Sequence, residues 1–282
     1  MRESKIVRAA VVVASLAAAA IGTPAAAQET PTTPPAPISS APAKSGLSDR
    51  LFLAFAQDTA IVTSQWWEGQ VEYSDGSSGI PVDAFIVRGQ VAFRPIKSLE
   101  VGGNVGLGNT DAPAGVQDGT GATDLEIFGK WVFTNAASNL DWAAGAVATV
   151  PTGDDSVGLG FNSFALQAFG AMRYKLEGGI KLGGHIGVRY NGDGEFQTVD
   201  INGDTSFEVG VMALFQLANE VTLVTEGNVE SKRFEGADSV ANLLVGVDWK
   251  AFQRGVFRGA VSAGLTDSSP DYRIVLGYAY TF

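Results

Sequence analysis

The chain has 282 residues, no cysteine, one histidine and a net charge of −11, which excludes disulfide frameworks, a cysteine-linked lipid anchor and thiolate metal or nucleophile chemistry. With 19 Lys and Arg against 30 Asp and Glu, it lacks the clustered basic residues that phosphate binding needs, so nucleic acid is excluded as a partner. Charged residues make up only 17% of the chain and there are 35 glycines, whereas a typical soluble domain is roughly 25% charged.

The N-terminus carries Arg2, Lys5 and Arg8 against Glu3, then an apolar, Ala-rich stretch from Ala9 to Ile21 and the small residues Ala25, Ala26 and Ala27. This order predicts a signal peptide over residues 1–27 with cleavage before Gln28. The apolar run is shorter than the roughly 20 residues a membrane-spanning helix needs. Residues 28–48 hold Pro31, Pro34, Pro35, Pro37 and Pro42, a composition of extended, solvated backbone, expected here as a disordered periplasmic leader. Residues 49–58 include the apolar stretch Leu51 to Ala56, which either lengthens the first strand or folds inward as a plug.

From Thr59 to the end, apolar residues alternate with polar or small ones, the period of a β-strand. Twelve segments are predicted, at 59–73, 83–94, 98–109, 122–134, 140–150, 163–175, 179–191, 205–217, 220–231, 239–251, 256–266 and 271–282. Long polar links rich in Gly and Asp follow the odd segments and brief links follow the even ones. An even strand count with short turns on one rim and long loops on the other is the pattern of an antiparallel, up-and-down transmembrane β-barrel. Alternation alone is equally compatible with a soluble β-sandwich. The last segment separates the two, because Tyr272, Ile274, Leu276, Tyr278, Tyr280 and the terminal Phe282 share one face. Such an ending, with Tyr278, Tyr280 and Phe282 as its core, resembles the signal read by the outer-membrane barrel-assembly machinery. Trp66, Trp67, Tyr73, Trp131, Tyr174, Tyr190 and Trp249 near other strand ends fit an interfacial aromatic girdle. Outer-membrane lipids and the assembly machinery are therefore the expected partners, and a Gram-negative outer membrane the expected location.

Projecting the alternation inward gives the candidate pore-lining residues Arg88, Glu126, Lys130, Arg173, Lys181, His185, Arg189, Glu208, Glu226, Asp248, Arg258 and Arg273, with Glu68 and Lys250 on the same face. Both signs occur. The same set would serve as a salt-bridged filling, since opposed charges inside a narrow barrel have to be paired to offset desolvation. His185 has Gly187 two residues on, where outer-membrane lipid hydrolases carry a nucleophilic Ser, so no catalytic residue is assigned. An EF-hand loop starting at Asp200 would need Gly at 205 and Glu at 211; the chain has Thr205 and Val211. No metal or other cofactor is expected.

Three strings resemble, in this order, the outer-membrane transporters named for the MetA pathway of phenol degradation: Gly121 to Lys130 (GATDLEIFGK), Val150 to Asp155 (VPTGDD) and Gly184 to Tyr190 (GHIGVRY). The resemblance extends over most of the chain after about residue 59. It implies a passive channel for small solutes, often aromatic or apolar, and fixes no substrate. Pro151, Thr152, Gly153, Asp154 and Asp155 would sit at the outer mouth, either as a tight turn or as a ligand contact. Other readings are a structural or adhesive barrel with acidic surface loops and, behind it, a lipid hydrolase.

Overall fold

The computed structural model describes residues 49–62, 64–76, 82–113, 116–134 and 138–282. The expected signal peptide and leader, residues 1–48, lie outside them. Among the described residues fifteen strands follow in chain order: β1 Gln65–Asp75, β2 Asp83–Ile96, β3 Leu99–Asp111, β4 Gly119–Ala122, β5 Leu125–Phe133, β6 Leu140–Val150, β7 Ala165–Lys175 and β8 Ile180–Asn191. Then come β9 Gly194–Phe196, β10 Val199–Ile201, β11 Thr205–Ala218, β12 Val221–Glu230, β13 Val240–Phe252, β14 Gly255–Gly264 and β15 Tyr272–Thr281.

Every wall strand pairs antiparallel with its neighbours, and β1 closes the sheet on β15, from Trp66 opposite Thr281 to Asp75 opposite Tyr272. Closure leaves no open edge at the seam, the condition for a sheet in hydrocarbon, where each unpaired backbone group costs several kcal/mol. The wall is a twelve-stranded barrel, because β4 and β5 are two pieces of one wall strand, of which β5 lies in the predicted segment 122–134 and β4 reaches back into the predicted loop before it. Both pair with β3, and the chain bends at Thr123 and Asp124 between them. β9 and β10 form a small separate hairpin inside one long loop, where the sequence predicted only turns.

Brief connections at one rim join β2 to β3, β7 to β8, β11 to β12 and β13 to β14, and Trp66 and Phe282 lie at this same rim. The long loops share the other rim. Strand faces follow the period-two pattern. On β11, Phe207, Val209 and Val211 are exposed on the outer wall while Ser206, Glu208 and Met212 are buried inside. On β15, Tyr272, Ile274 and Leu276 are exposed, as is Phe282 just beyond it.

Three expectations need correction. The first strand begins at Gln65, not at Thr59; Thr59, Ala60 and Val62 are buried within the barrel as part of the inward segment. Trp66 belongs to no girdle, since it is 2% exposed and stacks on Phe55 at 5.1 Å. Neighbours in a strand face opposite ways, so of the Trp66 and Trp67 pair only Trp67 can face outward. Lys250 is exposed at the short-turn rim, because the register of β13 slips between Trp249 and Phe252 and ends the strict alternation there.

Candidate functional site: a plugged lumen with an upper chamber

The barrel interior has a filled half and a hollow half. The short-turn half is filled by residues 49–62, which run inside the wall and contact strands around most of its circumference. Glu226 on β12 holds the segment's backbone: its carboxylate accepts the N–H groups of Phe52, Leu53 (2.9 Å) and Ala54 (3.4 Å). On β3, the Glu100 carboxylate accepts the Val62 N–H at 2.7 Å and pairs with Arg50 at 2.6 Å and with Lys130 of β5 at 3.4 Å. The Arg50 guanidinium lies 4.9 and 4.7 Å from the ring centroids of Phe55 and Trp66, a cation–π arrangement strengthened by exclusion of water. Lys181 of β8 reaches Asp49 at 2.7 Å, and Arg173 of β7 pairs with Asp58 and donates to the Asp49 carbonyl at 2.9 Å.

Arg258 on β14 is the most heavily engaged of these groups. It pairs with Asp248 at 2.9 Å and Glu68 at 3.0 Å, donates to the Arg50 carbonyl, and sits 4.2 Å over the Phe52 ring. All three charged side chains are fully buried. Six predicted lumen residues, Lys130, Arg173, Lys181, Glu226, Asp248 and Arg258, thus form the collar around the inward segment. Replacing Glu226 by Gln should loosen that collar, because an amide offers one acceptor oxygen to three N–H donors and turns an NH2 toward them. Charge-assisted bonds of this kind contribute about 1.5–3 kcal/mol each. The expected result is faster proteolysis within residues 49–62 of the detergent-solubilised protein; a cleavage rate equal to wild type would mean that Glu226 does not hold the segment.

Above the segment the lumen opens into two adjoining cavities of about 360 and 290 Å3. Arg88, Asn104, Glu126, Arg189, Arg233 and Arg273 line both, so they form one chamber. Its floor is Leu53, Phe55, Ala56 and Gln57 of the inward segment. Floor and wall are joined by Gln57, which donates to Gln167 at 2.8 Å; Gln167 in turn donates to Glu208. His185 lies 3.2 Å from Glu208, and its ring lies against Gly210 on β11, where a Cβ would fall 2.1 Å from it. The hydrogen-bond partner of this histidine is therefore a carboxylate. Arg88, Glu126, His185, Arg189, Glu208 and Arg273, the other six predicted lumen residues, stand at or beside the chamber.

The roof comes from the long loops. Phe161 lies 5.2 Å from both Phe196 and Phe234, linking the loops after β6, β8 and β12. Leu159 and Val157 pack on Ile86 beneath them. Pro151 to Asp155 hold this roof in place. Gly153 donates to Asp124 Oδ1 at 2.9 Å, Asp154 N–H to the Ala122 carbonyl at 2.9 Å, and Leu125 N–H to Thr152 Oγ1 at 2.9 Å. A Cβ on Gly153 would lie 2.8 Å from the Asp124 nitrogen. The first two strings that carry the family resemblance are therefore the two sides of one junction: the bend at Thr123 and Asp124 receives the Pro-Thr-Gly-Asp turn. Asp154 and Asp155 also fold the loop locally, through Ser156 at 2.7 Å and Gly158 at 3.1 Å.

Sequence reasoning missed Glu72, Glu100 and Glu230, which lie on the inner face of their strands and were signalled by the same alternation. It had no means of finding Arg233, Phe161, Phe196 and Phe234, which come from loops, or Asp49, Arg50 and Asp58 from the inward segment.

No family model matches the chain, and no curated protein matches it. Among solved structures, it is similar to an outer membrane channel from Pseudomonas putida F1, with a TM-score of 0.64 and 16% identity over 79% of this chain and 97% of that one. It is also similar to the NanC porin, with a TM-score of 0.57, 6% identity, and coverage of 77% and 100%. The KdgM porin in complex with disordered oligogalacturonate gives a TM-score of 0.54 and 10% identity, over 77% and 99% of the two chains. At these identities the likeness is one of fold: the closed twelve-stranded antiparallel barrel of outer-membrane channels.

Proposed function

We propose that this chain is a passive channel of a Gram-negative outer membrane for small solutes, related to the transporters named for the MetA pathway of phenol degradation, and held closed by its own N-terminal segment. The observation that carries this reading is a polar, charge-lined chamber enclosed by a wall whose outer surface is apolar. An apolar outer band belongs against hydrocarbon, and a charged interior of this size belongs to a solute path. The short-turn rim, with Trp66 and Phe282, faces the periplasm, and the long loops face outward. Export uses the signal peptide of residues 1–27, and Tyr278, Tyr280 and Phe282 engage the assembly machinery. No nucleotide-binding motif accompanies the barrel, so transport follows the solute's own gradient.

The pairing of His185 with Glu208, and not with a hydroxyl, supports channel over hydrolase. The test is swelling of liposomes carrying the mature protein in gradients of small sugars, amino acids and aromatic acids. Swelling should need no energy source and should scale with the gradient, and should be faster when residues 49–62 are removed. Liposomes that stay osmotically tight with both forms would overturn the proposal.

A further inference from the structure

We infer that the upper chamber is a binding site for a small carboxylate with a compact apolar body, its carboxylate on Arg88 and Arg273 and its body under Phe161, Phe196 and Phe234. This rests on the channel reading for the solute's route to the chamber. Acceptors are largely matched: Glu126 takes the Asn104 amide at 2.9 Å, Glu208 has Gln167 and His185, and Glu230 has Ser206 at 2.9 Å and Arg233. Asp124 accepts the N–H groups of Gly153 and Phe161.

The donors are not matched. Arg88 and Arg273 share a single carboxylate, Glu72, at 3.8 and 3.2 Å. Arg189 and Arg233 likewise share Glu230, the former at 3.8 Å. The Nε atoms of all four arginines are buried and make no aligned hydrogen bond, those of Arg273 and Arg189 having only the ion-pair approaches of 3.2 Å to Glu72 and 3.8 Å to Glu230, whereas Asn228 Oδ1 is the one acceptor without a hydrogen bond among the described residues lining the chamber. A buried donor without a partner is costly, and a guanidinium fork fits a carboxylate through two parallel bonds. Arg88 and Arg273 are the better pair for a ligand, since each is about a quarter exposed to the chamber, while Arg189 is buried against Gln167 and Glu230.

The other end of the same 360 Å3 cavity is apolar, with Ile86, Leu159, Phe161, Phe196 and Phe234 in its lining. Such a volume is at the lower end of the range for small-molecule sites. One end therefore offers unmatched positive donors and the other a patch of rings, so the fitting ligand has a charged head and an apolar body.

The experiment is isothermal titration of the full mature protein in detergent with benzoate, acetate, inorganic phosphate and benzyl alcohol. Benzoate should bind saturably, and the other three at least about tenfold more weakly, since each lacks either the body or the carboxylate. The Arg88→Gln, Arg273→Gln double variant should weaken benzoate by at least about tenfold. Glu72→Gln removes the competing carboxylate and should strengthen benzoate binding, which guards against a loss caused by misfolding; Lys232→Gln, on the outer loops, should leave it unchanged. Equal affinity for benzoate and benzyl alcohol, or Glu72→Gln weakening benzoate, would overturn the site. Bilayer recordings on the same preparations separate the two readings. Intact conductance with no saturable benzoate binding removes the site and leaves the channel, whereas saturable binding in a protein that never conducts removes the channel and leaves the site.

Discussion

Removal of residues 49–62 should raise single-channel conductance several-fold while leaving the barrel folded. The wall owes none of its hydrogen-bond ladder to this segment, because β1 already closes on β15 through ten paired positions. The segment itself supplies the obstruction: Leu51, Ala54, Phe55, Ala56, Ala60 and Val62 are all buried inside the short-turn half. Once it leaves, Glu100, Arg173, Lys181 and Glu226 lose their partners from the segment but gain water, so the desolvation that makes an unpaired charge costly no longer applies. Planar-bilayer recordings of the full and shortened chains would measure the change. Identical conductance in the two would show either that the segment leaves the lumen in the membrane or that the roof is the only barrier.

Replacement of Arg258 by Met should destabilise the intact protein by about 3–5 kcal/mol, the range for removing one partner of a buried ion pair. Asp248 and Glu68 would be left facing one another without the guanidinium between them, and the Arg50 carbonyl and Phe52 ring would lose their contact as well. Pairing the change with Asp248→Asn should restore part of the loss, since one of the two stranded acids is then neutral. Denaturant unfolding followed by tryptophan fluorescence would read both variants, with Trp66 inside the lumen as a local reporter. An unchanged midpoint for the single variant would mean that water reaches these acids in the closed barrel. The same substitution in the shortened chain should cost less, because that lumen is wet.

These two expectations come from different kinds of information. The alternation along each strand is local: a residue faces lipid or lumen according to its parity, and hydrocarbon and water select opposite residue types. So the sequence by itself determined the twelve wall strands, the rim on which each connection lies, and the inward direction of Arg88, His185, Glu226 and Arg258, but not the β9–β10 hairpin. Its failures at Trp66 and Lys250 fall where that rule has a neighbour of the same type or a slipped register.

Only the tertiary structure decided what meets across the lumen. Residues 49–58 carry no strand period and the alternation read from Thr59 does not hold them to the wall, so nothing local places the segment; its position follows from Glu226 and Glu100 offering acceptors to its backbone, and from Arg50 fitting between two rings. The division of the inward charges into a collar and a chamber depends on that placement. So does the pairing of the Pro-Thr-Gly-Asp turn with the bend at Asp124, two segments whose order in the chain is visible but whose contact is made only when the sheet closes around them.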